Sequence, residues 1–156
     1  MNDFITPCSD DNVVTKYIQK FINVKEYRDC AVKNPSSRVY ASDFLIESNK
    51  ETFTDVFNRV SLKSNNNFYV IWMLSTVYKE TFPNTVNLGR VSKDNLMQLL
   101  LKQKEEMNKD CLVYIKDLSL TDFWDLMIFD ETFSWTCVLT HEDDIDGKRI
   151  CYYVEL

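Results

Sequence analysis

The stretch "FYVIWMLSTV", residues 68–77, constrains this chain more than any other, because it is apolar on both parities and rich in β-branched and aromatic residues. A strand with one wet face alternates apolar with polar residues, whereas a strand that does not alternate must be covered on both faces. The segment is therefore predicted to be the centre of a sheet. It is about half as long as the roughly 20 residues a membrane-spanning helix needs. The first twelve residues, "MNDFITPCSDDN", lack a basic segment followed by an apolar one and do not read as a secretory signal. Together these observations lead to the expectation of a soluble, cytoplasmic protein that does not contact a membrane.

Three amphipathic helices are predicted around that strand. Over 10–22, Val13, Val14, Tyr17, Ile18, Phe21 and Ile22 share one face, with Ser9 in the N-cap position and Asp10 and Asp11 complementing the helix dipole. Over 48–61, Ser48-Asn49-Lys50-Glu51 has the spacing of a capping box, and Phe53, Val56, Phe57 and Val60 follow at helical intervals. Over 92–108, Ser92 is placed to cap a helix with Leu96, Leu99 and Leu100 inward and Gln98 outward. Between the first two helices "KNPSS" reads as a turn, and "VYASDFLIE" fits a strand without settling it. Pro83 and Gly89 point to a loop, "CLVYI" at 111–115 to a second buried strand, and "SLTDFWD" at 119–125 to a short helical turn.

Strands over 126–130, 133–141 and 148–155 are expected to close the chain as an antiparallel meander, because short connections join them. Asp146-Gly147 is the strongest local hairpin signal and predicts a type I′ turn. Counting outward sets His141 opposite Tyr152, Leu139 opposite Val154 and Cys137 opposite Leu156. Trp135, Cys137, Leu139, His141, Tyr152 and Val154 then share a core face, and Glu142 points the other way. The fold class expected is α+β: a mostly antiparallel sheet of about five strands with the three helices packed mainly on one face. At 156 residues, 45% hydrophobic and 13% aromatic, the chain is long enough for one globular domain, and two glycines and three prolines leave no linker.

The only histidine, His141, stands beside Glu142, Asp143 and Asp144. Neighbouring positions on a strand point to opposite faces, so His141 and Glu142 cannot meet on one metal ion without a bend. Cys137 and His141 share a face but lie roughly 13 Å apart along a regular strand, too far for a thiolate–imidazole pair. "EDDIDG" resembles part of a calcium loop, but the twelfth position, which should be an acid, is Tyr153. Asp122/Asp125 and Asp130/Glu131 are the carboxylate pairs left for acid–base work, and they read more simply as surface acids. Five cysteines are scattered without a C-x-x-C pair and are expected to be reduced. No phosphate-binding, nucleotide-binding or hydrolase motif is present. Neither a cofactor nor a metal is expected.

The charge is lopsided. From Asp117 to Gly147 there are nine acids and no Lys or Arg, while the rest of the chain carries 15 acids and 18 bases. The whole excess behind the net charge of −6 lies in that one segment. A surface of this sign repels phosphate backbones and steers basic partners. The predicted partner-binding residues are Asp122, Trp124, Asp125, Asp130, Glu131, Glu142, Asp143, Asp144 and Asp146.

"FDETFSWTCVLTHEDD" resembles the tail of small uncharacterised bacterial proteins in which an acid-rich turn precedes a W-T-x-x-x-T-H-E strand, over residues 126–144. The resemblance implies an intracellular inhibitor or immunity protein that covers a toxin's active surface. The leading expectation is accordingly a non-catalytic module that masks a basic protein partner, such as a nuclease or other toxin, without binding nucleic acid directly. The alternative is a small metal-dependent or acid–base hydrolase using His141 with carboxylates from elsewhere. A self-associating structural subunit is a third reading, and the residues do not encode an oligomeric state.

Overall fold

In the computed structural model, which describes residues 5–77, 85–107 and 125–156, the apolar stretch 68–77 lies in a long inner strand. The elements in chain order are β1 (Ile5–Pro7), α1 (Asp11–Phe21), α2 (Val24–Lys33), β2 (Arg38–Tyr40), a 3-10 turn (Ala41–Phe44), β3 (Asn49–Glu51), α3 (Phe53–Leu62), β4 (Asn67–Val77), β5 (Thr85–Ser92), α4 (Lys93–Met107), β6 (Leu126–Phe129), β7 (Trp135–Asp143) and β8 (Arg149–Glu155). They make an α+β fold around one eight-stranded sheet in the order β1-β5-β4-β6-β7-β8-β3, with β2 also paired to β4. Every pairing among the described strands is antiparallel.

Helices cover both faces of this sheet, which corrects the expectation of one covered face. Val13, Tyr17, Ile18 and Phe21 of α1 and Tyr27 and Ala31 of α2 pack with Ile71, Met127, Phe129, Val138 and Val154. On the other side Phe53, Val56 and Val60 of α3 and Leu96, Leu99 and Leu100 of α4 pack with Phe68, Val70, Ile128, Cys137 and Tyr153. The reason was already present in residues 68–77: a strand apolar on both parities needs an apolar partner on each side. A bulge between Trp72 and Ser75 shifts the pairing of β4 with β5 by one residue. Trp72 accordingly packs against the α3/α4 core while Leu74 belongs to the α1/α2 core.

The strand count exceeds the expected five because three short strands carry no periodicity of their own. β1 and β3 each pair through three residues, and β2 spans only Arg38–Tyr40. β5 occupies part of what read as a loop. Its Gly89 lies inside the strand, where a side chain would collide with Ile5 and press on the Thr6 carbonyl and the Trp72 ring. Predicted strand 111–115, Pro83 and all of the turn 119–125 but its last residue, Asp125, lie outside the described residues.

The helix caps also differ in detail. α1 is capped by Asp10, whose carboxylate accepts from the Asn12 N–H at 3.0 Å, rather than by Ser9. The capping box of α3 is Thr52…Asp55, with both reciprocal bonds formed, rather than Ser48…Glu51. The displaced residues 49–51 become β3, which pairs with β8. Ser92 does cap α4, accepting from Asn95 N–H at 3.2 Å. A further helix, α2, follows Asn23, whose side chain accepts from the Glu26 N–H.

β2 and β6 lie end to end along one side of β4: Tyr40 faces Ser75, and Leu126 faces Trp72. At the junction the Ser42 hydroxyl donates to the buried Asp125 carboxylate at 2.5 Å. This bond joins the turn that follows β2 to the residue that precedes β6.

The closing meander β6-β7-β8 forms as expected, but its register does not. Thr136 faces Val154, Cys137 faces Tyr153 and Val138 faces Tyr152, and the pairing shifts between Leu139 and Asp143. The turn is the cause. Gly147 has φ +74 and is the only residue in the turn with positive φ, so this is not a type I′ turn. Instead the Gly147 N–H donates to Asp144 O and the Asp144 N–H to Lys148 O, a three-residue loop ending in a left-handed glycine. With the turn and bulge displaced, Cys151 and Tyr153 join Cys137 on the α3/α4 face while Tyr152 and Val154 join Val138 on the other.

Candidate functional site

β7 runs nine residues from Trp135 to Asp143, roughly 27 Å at an antiparallel strand's rise. The β6–β7 turn and the β7–β8 turn are therefore at opposite ends of the sheet. This divides the described acids that the sequence grouped together: Glu131 is exposed at the first turn, and Glu142, Asp143, Asp144 and Asp146 cluster at the second.

At the β7–β8 end, Ile145 is fully exposed at the apex. Glu142 and Asp146 are exposed beside it. Asp144 has a structural task, its Oδ1 accepting from the N–H groups of Asp146 and Lys148 at 2.9 Å each. The Lys148 and Asp146 bonds, with the nearby Lys50 and Lys148 charges, hold its carboxyl below the usual carboxylate range. Asp143 Oδ1 lies 3.4 Å from Arg149 Nε, and Arg149 also donates to Thr140 O at 2.8 Å. Among the described residues, the exposed carboxylates at this end with neither an ion pair nor a turn hydrogen bond are thus Glu142 and Asp146.

At the β6–β7 end, Asp130 is buried and organises the turn. Its Oδ2 accepts from Trp135 Nε1 at 2.8 Å and from Asn65 Nδ2 at 3.2 Å, and its Oδ1 accepts from the Thr132 N–H at 2.9 Å and the Thr132 hydroxyl at 2.5 Å. Burial alone would raise this carboxyl, but the donors from Thr132, Trp135 and Asn65 outweigh it and hold it below the ordinary value of 3.8. Phe133 takes a left-handed backbone, φ +52, which brings its ring 5.4 Å from that of Phe129. Phe129 in turn stacks on Tyr69 at 5.5 Å, and Arg90 lies over Tyr69 at 5.2 Å. Beside this row is a cleft of about 330 Å³, lined by the loop 64–67, Tyr69, Arg90 and Glu131.

Asp125 and Asp130 thus have internal partners and do not extend the outer acidic rim. Asp122 and Trp124 lie outside the described residues. His141 falls in the interval where β7 and β8 lose regular register, and its position opposite Tyr152 is taken by Val138. Cys137 and Cys151 are buried, and burial pushes both thiols up to about 12, which keeps them protonated and unreactive at neutral pH. Among the described residues no group of three or more His, Cys, Asp or Glu side chains is arranged to hold a metal ion, and no helix is long and apolar enough to cross a membrane.

Sequence reasoning did not find the cleft or the apolar tip. Arg90 and Tyr69 belong to strands whose pairing brings them face to face, and nothing in either strand alone announces that. In the sequence Ile145 is an apolar residue among acids, and its exposure at the apex follows only from the three-residue loop. No family model, no curated protein and no solved structure matches this chain.

Proposed function

We propose that this protein is a non-catalytic binding module that masks a basic protein partner, such as a nuclease or other toxin, through the tip of its β7–β8 hairpin. The observation that carries this reading is the fully exposed Ile145 at the apex, flanked by the exposed carboxylates of Glu142 and Asp146. An apolar contact flanked by two exposed carboxylates, with Lys148 the basic residue of the same turn, combines a desolvated anchor with electrostatic steering. Asp144 and Gly147 supply the rigidity, since a preorganised loop loses less conformational freedom on binding. The inhibitor and immunity resemblance of residues 126–144 agrees with this use of the hairpin.

Affinity capture from the native host tests it. Wild-type protein is expected to retain a basic partner that Glu142→Lys combined with Asp146→Lys releases, and retention should fall as salt is raised. Retention unchanged by the double substitution overturns the assignment to this tip. The enzymatic alternative, with His141 as acid or base, is separated by metal analysis of the purified protein and by His141→Ala in a hydrolase screen.

A further inference from the structure

We propose that the cleft between Arg90 and Glu131 binds a free amino acid, taking its α-carboxylate at Arg90 and its α-ammonium at Glu131. Arg90 on β5 faces Tyr69 on β4, and Phe129 on β6 faces Tyr69 from the other side. β5 and β6 are therefore two strand spacings apart, about 9.5 Å. Glu131 follows two residues after Phe129, at the same end of the sheet. Both charged residues are exposed, both line the cleft, and among the described residues neither has an ion-pair partner. Opposite charges held apart across a cleft, with the half-buried Tyr69 between them, match a ligand that carries both charges at short separation.

Ligands of other chemistry suit it less well. A simple anion drawn to Arg90 meets the Glu131 carboxylate, and a simple cation meets the converse. A neutral sugar leaves both charges without a counter-charge, although Ser64 and the amides of Asn66 and Asn67 offer it hydrogen bonds. The cleft volume of about 330 Å³ is at the small end of ligand sites, in keeping with a single amino acid. Its walls are fixed in advance: Asn65 is bonded to Asp130, Asp130 to Trp135, and the Lys93 N–H to Asn66 O at 2.8 Å. Charge-assisted hydrogen bonds at two such fixed points give directional recognition. The site lies at the far end of β7 from the hairpin tip, so it stands or falls independently of the partner-binding reading.

Calorimetric titration of the intact protein with each proteinogenic amino acid in turn, with propionate, ethylamine and glucose as controls, tests the proposal. At least one amino acid should bind saturably while the three controls do not. Arg90→Gln and Glu131→Gln should each weaken that binding by about tenfold or more, the scale of a lost charged contact, with unchanged circular dichroism. Absence of saturable binding by every amino acid at about 10 mM, a concentration sufficient to detect even millimolar affinity, overturns it. So does binding of a control as tight as that of any amino acid, or affinity unchanged in both variants.

Discussion

Trp135 donates its indole N–H to the carboxylate of Asp130 at 2.8 Å, closing the β6–β7 turn over a buried charge. The same carboxylate holds Asn65 from the α3–β4 loop, so one side chain fixes two segments far apart in sequence. Asp130→Ala would leave the indole N–H buried without this acceptor. It is expected to destabilise the protein by about 2–4 kcal/mol, combining the loss of charged hydrogen bonds with an unsatisfied donor. Urea denaturation followed by tryptophan fluorescence measures the loss.

Asp130 also makes stability depend on pH. Its folded pKa lies below the ordinary 3.8, so in acid the unfolded chain binds the proton first and stability rises with pH. The contribution is complete above the unfolded value and is lost as pH falls through the folded one. Unfolding free energies of wild type and Asp130→Ala, measured from neutral pH into this acid range, should differ most at neutral pH and converge in acid. A gap that stays constant would show that the carboxylate's ionisation is not what stabilises the turn.

The four described thiols should fall into two classes. Cys137 and Cys151 are buried with pKa values raised to about 12, whereas Cys8 and Cys30 are half-buried. Under native conditions a thiol reagent is expected to label Cys8 and Cys30 well before Cys137 and Cys151, with peptide mass spectrometry reading the order. Early modification of Cys137 would contradict its place between β7 and the α3/α4 layer.

Gly89 allows β1 to lie against β5. A methyl group there would meet Ile5, the Thr6 carbonyl at 3.2 Å and Trp72 at 3.3 Å, so Gly89→Ala should cost about 1–3 kcal/mol through overpacking. Ile5→Ala in the same chain removes the worst collision, and a double-mutant cycle should then show the pair costing less than the sum of the two single changes. Simple additivity would mean that the two residues do not touch.

Long apolar periodicity was the legible part of this fold. Val13 through Phe21, Phe53 through Val60 and Leu96 through Leu100 announced helices, and residues 68–77 announced a strand buried on both faces. The layer arrangement was implicit there too, yet it could be assigned only once Tyr17 and Leu99 were found on opposite sides of the sheet. Register was not legible. Asp146-Gly147 suits two turn geometries, and the choice rests on Asp144 accepting two backbone N–H bonds that flank Gly147. The same small displacement moved Cys151 and Tyr153 to the opposite face. Charge was legible as composition but not as surface, because Asp130 and Glu131 are neighbours in sequence while only Glu131 reaches solvent.

The division of the acidic segment between the two ends of β7 is tested most directly by titrating the purified partner against three proteins. These are the wild type, Glu142→Lys with Asp146→Lys at the hairpin tip, and Glu131→Lys at the other end. The expected result is a loss of about tenfold or more in affinity for the tip variant, on the scale of lost charge pairs, and near wild-type affinity for Glu131→Lys. Equal losses in both variants, or a loss confined to Glu131→Lys, would contradict partner binding at the tip.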